Sequence, residues 1–266
     1  MNRSTGARLC ATAVVGALSL ALLTGCSDNG SDDTKGSGSS EQGGNAKTYS
    51  KTELDKLLIA QGDVDGYKVK PVEKALSADK KKLKGDEKCL PLVYVMSGLA
   101  PTDAPAETNI MATQEKKPTD TASKSLEDLA DGEAEDAMAE AMSVDVTVVA
   151  LSSYDGEGAS DAFAKVSEAV KNCSGGFEVS EGGEPTKMTK VAEETAVGAT
   201  GDEAVAFVAT GEMDEETGQT GTVHTQVVRH GNTLASYFTM NFGAMMTGKD
   251  YKVPAPIVDA QAGKLK

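Results

Sequence analysis

Residues 144–173, VDVTVVALSSYDGEGASDAFAKVSEAVKNC, decide the fold. Over 144–153 the chain alternates, with Val144, Val146, Val148 and Ala150 on one face. Val149 and Leu151 make the other face apolar too, as expected of a central strand covered on both sides. After a Gly-containing turn the period changes. Ala159, Ala162, Phe163, Val166, Ala169, Val170 and Cys173 fall on one stripe of a helix over 159–173, closed by Asn172 and Gly175-Gly176. A strand buried on both faces followed by a one-sided helix describes a sheet with helical layers.

Downstream, strands are expected over 204–210, with Val205 and Phe207 inward, over 222–229, and over 233–242. In the last of these Leu234, Phe238, Met240 and Phe242 share a face. A polar loop at 212–221 and the Gly231-Asn232 turn join them into an antiparallel meander. Upstream, Ser50-Lys51-Thr52-Glu53 has the form of a capping box opening a helix over 51–61. A strand over 67–72 follows, then a Lys-rich exposed loop at 79–88 and a helix from Cys89-Leu90-Pro91 to Leu99. Prolines mark 100–121 as a long loop that partly extends into a strand at 109–113. Residues 125–142 read as a helix, and 254–266 as a short closing one. The expectation is α+β: a mostly antiparallel sheet flanked by helices, one domain over 50–266.

Residues 1–25 have another character. Arg3 and Arg8 precede an apolar run from Ala11 to Leu23, too short to span a bilayer and suited to a secretory signal. It ends in Leu23-Thr24-Gly25-Cys26, which resembles the bacterial lipobox. That resemblance implies cleavage before Cys26 and a diacylglyceryl, palmitate-type anchor on its thiol, two acyl chains being enough for stable attachment. The alternative is an ordinary signal with a chance cysteine. Residues 27–49 have only Ala46 and Tyr49 as apolar members, so 26–49 reads as a lipidated Cys and a flexible Gly/Ser/Asp tether of roughly 25–30 Å mean span.

The four cysteines sort themselves accordingly. Cys10 lies in the signal and Cys26 takes the lipid. Cys89 and Cys173 are left in a chain directed outside the cytoplasm, where disulfides persist, and are expected to pair. Two buried free thiols are the alternative. A zinc site lacks the clustered ligand spacing.

Composition excludes more than it assigns. A net charge of −15 argues against a nucleic-acid partner. The Gly156-Glu157-Gly158 turn lacks the third glycine of a phosphate loop, and Asp155 and Glu157 would repel a phosphate. His224 and His230 lie about 20 Å apart along one strand face, too far to share a metal, and read as surface or edge histidines. No G-x-S-x-G elbow occurs. No cofactor, metal or catalytic residue is expected. Charge is uneven: eight lysines fall in 68–88, whereas 125–164 holds eleven carboxylates and no basic residue. These are either solvated faces or a means of steering a charged partner such as an anionic wall polymer or lipid.

Cys89-Leu90-Pro91-Leu92, the 148–154 strand VVALSSY, the helix ending Asn172-Cys173, and Thr200-Gly201-Asp202-Glu203-Ala204 together resemble actinobacterial envelope lipoproteins. Those are similar to the extracellular sensor-like domain of PknH-type serine/threonine kinases. The resemblance implies an antiparallel sheet flanked by helices and a cleft for an unidentified ligand. The kinase domain is absent, and one cysteine pair stands where the kinase sensor has two. The resulting expectation is a non-enzymatic ligand-binding or sensor-like module on the outer face of the cytoplasmic membrane, its partners being the membrane and a small ligand or envelope protein. The alternatives are an envelope hydrolase or transferase and an accessory subunit of a membrane complex.

Overall fold

The computed structural model describes residues 47–73, 77–116, 131–183, 185–199, 201–214 and 216–266, with side chains left undescribed at 131–136 and 214. Residues 1–46, which hold the expected signal, Cys10, Cys26 and all but the last three residues of the expected tether, lie outside them.

The 144–153 segment is the hub of the sheet. Strand β4 (Val146–Ser153) is flanked by β3 (Ala106–Gln114) and β9 (Thr233–Met240), both antiparallel to it. Outward from β3 lies β1 (Tyr67–Lys70). Outward from β9 the sheet continues through β8 (Gln219–His230), β7 (Glu203–Asp214), β6 (Thr186–Glu194) and β5 (Phe177–Glu181) to the short edge strand β2 (Leu83–Gly85). The nine strands among the described residues form one sheet of order β1-β3-β4-β9-β8-β7-β6-β5-β2. This is the α+β antiparallel architecture expected.

Helices cover both faces, as the two-sided apolar pattern of β4 requires. On one face α2 (Leu90–Met96) and α4 (Gly158–Asn172) bury Leu92, Val95, Phe163 and Val166 against Phe207 and Val227. On the other, α1 (Lys51–Leu57) and α6 (Ala255–Lys264) bury Leu54, Ile257 and Val258 against Val149, Leu151 and Tyr237. Cys89 and Cys173, the residues flanking α2 and α4, are joined in a disulfide. Two further helices, α3 (Asp131–Met142) and α5 (Phe242–Thr247), sit at the end of the sheet where β4 begins and β9 ends.

Several expectations are corrected. Helix α1 stops at Leu57, because Leu58 turns extended (φ −63°, ψ 149°). The strand expected at 109–113 within the 100–121 loop is longer, the nine-residue β3, whose alternation is masked by half-exposed Thr, Asn and Gln. The 79–88 segment contains β2, with Leu83 in the core. Strands β5 and β6 had no sequence expectation at all: FEVSE and TKMTKVAEE bury little beyond Phe177 and Val191. The polar 212–221 segment is largely ladder, since Glu212 still pairs with Thr220. Phe242 belongs not to β9 but to α5, and is 46% exposed. The 125–130 part of the long helix lies outside the described residues; 131–142 is helical.

Candidate functional site

Helix α2 carries a cavity on each flank. Pro91 fits its first turn, and at its other end the Ser97 hydroxyl donates to the Val93 carbonyl at 2.8 Å. With Leu92 and Val95 turned fully into the core, Val93 and Met96 become one wall of a cleft of about 260 Å³. Val179 of β5 and Met188 of β6 form the opposite wall, with Val223 and Phe238 also lining it. Polar groups enter through Ser97, Ser180, Glu181 and Thr186. Apolar lining with a few polar groups is the usual composition of a small-molecule site.

The other flank is a groove of about 430 Å³ between α2 and α4, beside the disulfide. Its lining mixes Lys88 and Lys165 with Glu87, Glu168 and Asp103. Lys80 closes one side, its ammonium 4.7 Å from the Tyr94 ring centre. The same ammonium donates to the Thr102 carbonyl at 2.7 Å and to the Asp103 carboxylate at 3.3 Å. Lys80 is therefore a structural clamp from the Lys-rich segment to α2, and not an exposed loop cation.

The histidines also depart from expectation. His224 on β8 is only 7% exposed, because Tyr251 and Glu194 pack against its ring. Its Nδ1 is 2.8 Å from the Glu194 carboxylate, and the Tyr251 ring packs edge-on at 4.5 Å. The Tyr251 hydroxyl donates to the Thr222 carbonyl. Burial, reinforced by the Asp145 and Glu194 carboxylates, pushes that phenol up to about 12, so it stays neutral at physiological pH. These groups line a third cavity of about 370 Å³, whose hydroxyl-bearing aliphatic side chains are Thr220 and Thr222. A carboxylate-oriented imidazole is the geometry of a base or ligand; the nucleophile types lining the same cavity are Thr220, Thr222, Lys249 and Tyr251. His230 stands apart, its imidazole pushed down by burial against the opposing pull of Asp202.

Sequence reading located α2 and Phe238 but not the wall opposite them. Val179 and Met188 lie on the two strands it did not find, and the only local signal was the short Phe177/Val179 alternation. Neither did it pair His224 with Glu194 and Tyr251, which sit 30 and 27 positions away. Among the described residues no three His, Cys, Asp or Glu side chains are grouped as metal ligands would be. No described helix is long and apolar enough to cross a membrane.

No family model matches this chain, and no curated protein matches it. Among solved structures it is similar to the extracellular domain of PknH from Mycobacterium tuberculosis. The similarity has a TM-score of 0.46 at 10% identity, covering 82% of this chain and 96% of that one.

Proposed function

We propose that this chain is a lipid-anchored, extracytoplasmic, non-enzymatic module that binds a small apolar ligand in the cleft between α2 and the β5–β6 pair. The apolar cleft carries the reading. Val93, Met96, Val179, Met188, Val223 and Phe238 all line it, which is costly for a water-filled surface and suited to a hydrocarbon or aromatic group. The lipobox at Cys26, the Gly/Ser/Asp tether and the Cys89–Cys173 bridge support placement outside the cytoplasmic membrane.

The chain has no tryptophan, so Phe238→Trp introduces a single reporter into the cleft. Titration with N-phenyl-1-naphthylamine, an uncharged apolar fluorophore, is expected to shift and quench its emission. Val179→Asp, on a half-buried wall position, is expected to weaken probe binding by at least about tenfold, since it places a carboxylate against the apolar group. Unchanged binding in Val179→Asp with native near-UV circular dichroism would sink the cleft as the site.

Anchoring has its own test. Cys26→Ser is expected to move the protein from the membrane fraction to the soluble one, because the acyl chains supply about 0.8 kcal/mol per buried CH₂. Mass spectrometry of the wild-type N-terminal peptide should show the added diacylglyceryl mass. An unmodified peptide still sedimenting with membranes would overturn lipidation.

A further inference from the structure

The large apolar side chains left exposed among the described residues gather at one end of the molecule. They are Met138 and Met142 of α3, Met213 near the β7–β8 turn, and Phe242 and Met246 of α5, each 44–55% exposed. Helix α5 makes them one surface. At Gly243 it lies directly on α3, since a Cβ there would stand 2.0 Å from the Ala139 carbonyl oxygen. On the hairpin side Met245 and Met213 meet over Gly221, where a Cβ would stand 2.5 Å from Met245 Cε and 2.6 Å from Met213 Sδ. Exposed apolar residues occur singly on most surfaces, but a joined cluster marks an interaction site. Methionine, flexible and polarisable, adapts to a partner's shape.

The surrounding charge specifies the partner. Helix α3 carries five Asp and Glu and no basic residue in its sequence, and Glu212 stands on the β7–β8 ladder beside it. Among the described residues three cations lie near this end: Lys116 donates to the Glu140 carbonyl, Lys187 pairs with Glu212 at 2.8 Å, and Lys249 lines a cavity with Met245. The tether enters at the opposite end. Thr48 donates to the Tyr154 carbonyl and the Tyr49 N–H to Ser153 Oγ, at and just beyond the last residue of β4, whereas the methionines lie beyond its first. The length of β4 separates the two ends by roughly 25 Å. The surface therefore lies at the end of the sheet opposite residues 47–49, and its carboxylates would repel anionic headgroups.

We propose that this methionine-rich, acidic end docks a basic amphipathic helix of a partner protein, apolar side chains on the methionines and Lys or Arg on the carboxylates. It is independent of the α2 cleft. The test uses the intact Cys26→Ser chain with ¹³C-methyl methionine. Four probes are compared: a helical Lys/Leu peptide with Leu at helical spacing, its Glu/Leu counterpart, a Lys/Ser peptide of equal charge, and phosphatidylglycerol vesicles. The Lys/Leu peptide is expected to shift the Met138, Met142, Met213 and Met246 methyl signals and to bind at least about tenfold tighter than the other peptides. Raising salt from about 0.05 to 0.5 M should weaken it by at least about tenfold. The double variant M142E/M246E, at exposed positions, should lose the binding while the Met188 and Met111 signals keep their places. Equal binding of the Lys/Ser peptide would reduce the effect to charge and overturn the proposal. So would preferential shifts with vesicles, concentration-dependent shifts of the protein alone, which mark a second copy as the occupant, or perturbations confined elsewhere.

Discussion

The double variant C89S/C173S is expected to lose about 4–5 kcal/mol of stability, as urea unfolding of the oxidised wild type against the variant would measure. The two sulfurs are 84 positions apart in sequence, and a closed loop of that length restricts the unfolded chain by about this amount in the chain-entropy model. The folded state reinforces the effect. Cys89 precedes α2 and Cys173 follows α4, and both are at most 4% exposed in the same core as Leu92, Val166 and Val170. Against a typical total of about 5–15 kcal/mol, that loss leaves a protein close to its folding threshold at physiological temperature. The m-value should rise, because an unbridged chain exposes more surface when unfolded. Since α2 forms one wall of the apolar cleft, probe binding to Phe238→Trp should fall with it. A loss below about 1 kcal/mol would show that the bridge only decorates a core that is stable without it.

Legibility in the sequence followed burial. The 144–173 stretch was readable because β4 has apolar residues on both faces and α4 has one continuous stripe, so each period stands out. The meander was readable for the same reason: Val205, Phe207, Val227 and Leu234 are all buried. The cysteine pair was found by arithmetic on the leader and the compartment it implies, and the helix-end placement of Cys173 was visible in the stripe. Strands whose faces are half-solvated were readable only in part or not at all. β3 pairs along most of its length with β4, yet Thr108, Asn109, Thr113 and Gln114 hide its alternation. β5 and β6 carry charged residues at most outward positions and were lost entirely, and with them the far wall of the cleft. His224 was misread because a lone histidine in a polar stretch looks like surface; the Tyr251 ring and the Glu194 carboxylate packed against it put it inside. Its contacts with Glu194 and Tyr251 are set by the sheet register, which single-strand patterns do not encode.

Gln261→Leu is the second large effect expected, about 2–4 kcal/mol of destabilisation despite a near-isosteric exchange. Gln261 in α6 is 0% exposed. Its Oε1 accepts from the Ile59 N–H at 3.1 Å, and its Nε2 donates to the Leu57 carbonyl at 2.7 Å. Both backbone groups need those bonds because α1 ends at Leu57: once Leu58 turns extended, Ile59 no longer continues the helix ladder. Leucine fills the space and satisfies neither group, and each buried orphan costs about 1–3 kcal/mol. Gln226 bonds the Val197 backbone in the same two-handed way, accepting from its N–H at 2.8 Å and donating to its carbonyl at 2.9 Å. Gln226 thus offers a matched comparison at a site away from α1. The consequence of Gln261→Leu should be local before it is global. Leu54, Leu58 and Ile59 pack with Ile257 and Val258, so α1, the first of the described elements, should open first. Hydrogen exchange at the Leu58 amide, which donates to the Leu54 carbonyl at 3.1 Å, should accelerate while that of the β4 and β9 amides is retained. Equal acceleration across the sheet would mean that α1 and the sheet unfold as one unit, and a stability loss under about 0.5 kcal/mol would mean that water replaces the amide at no cost.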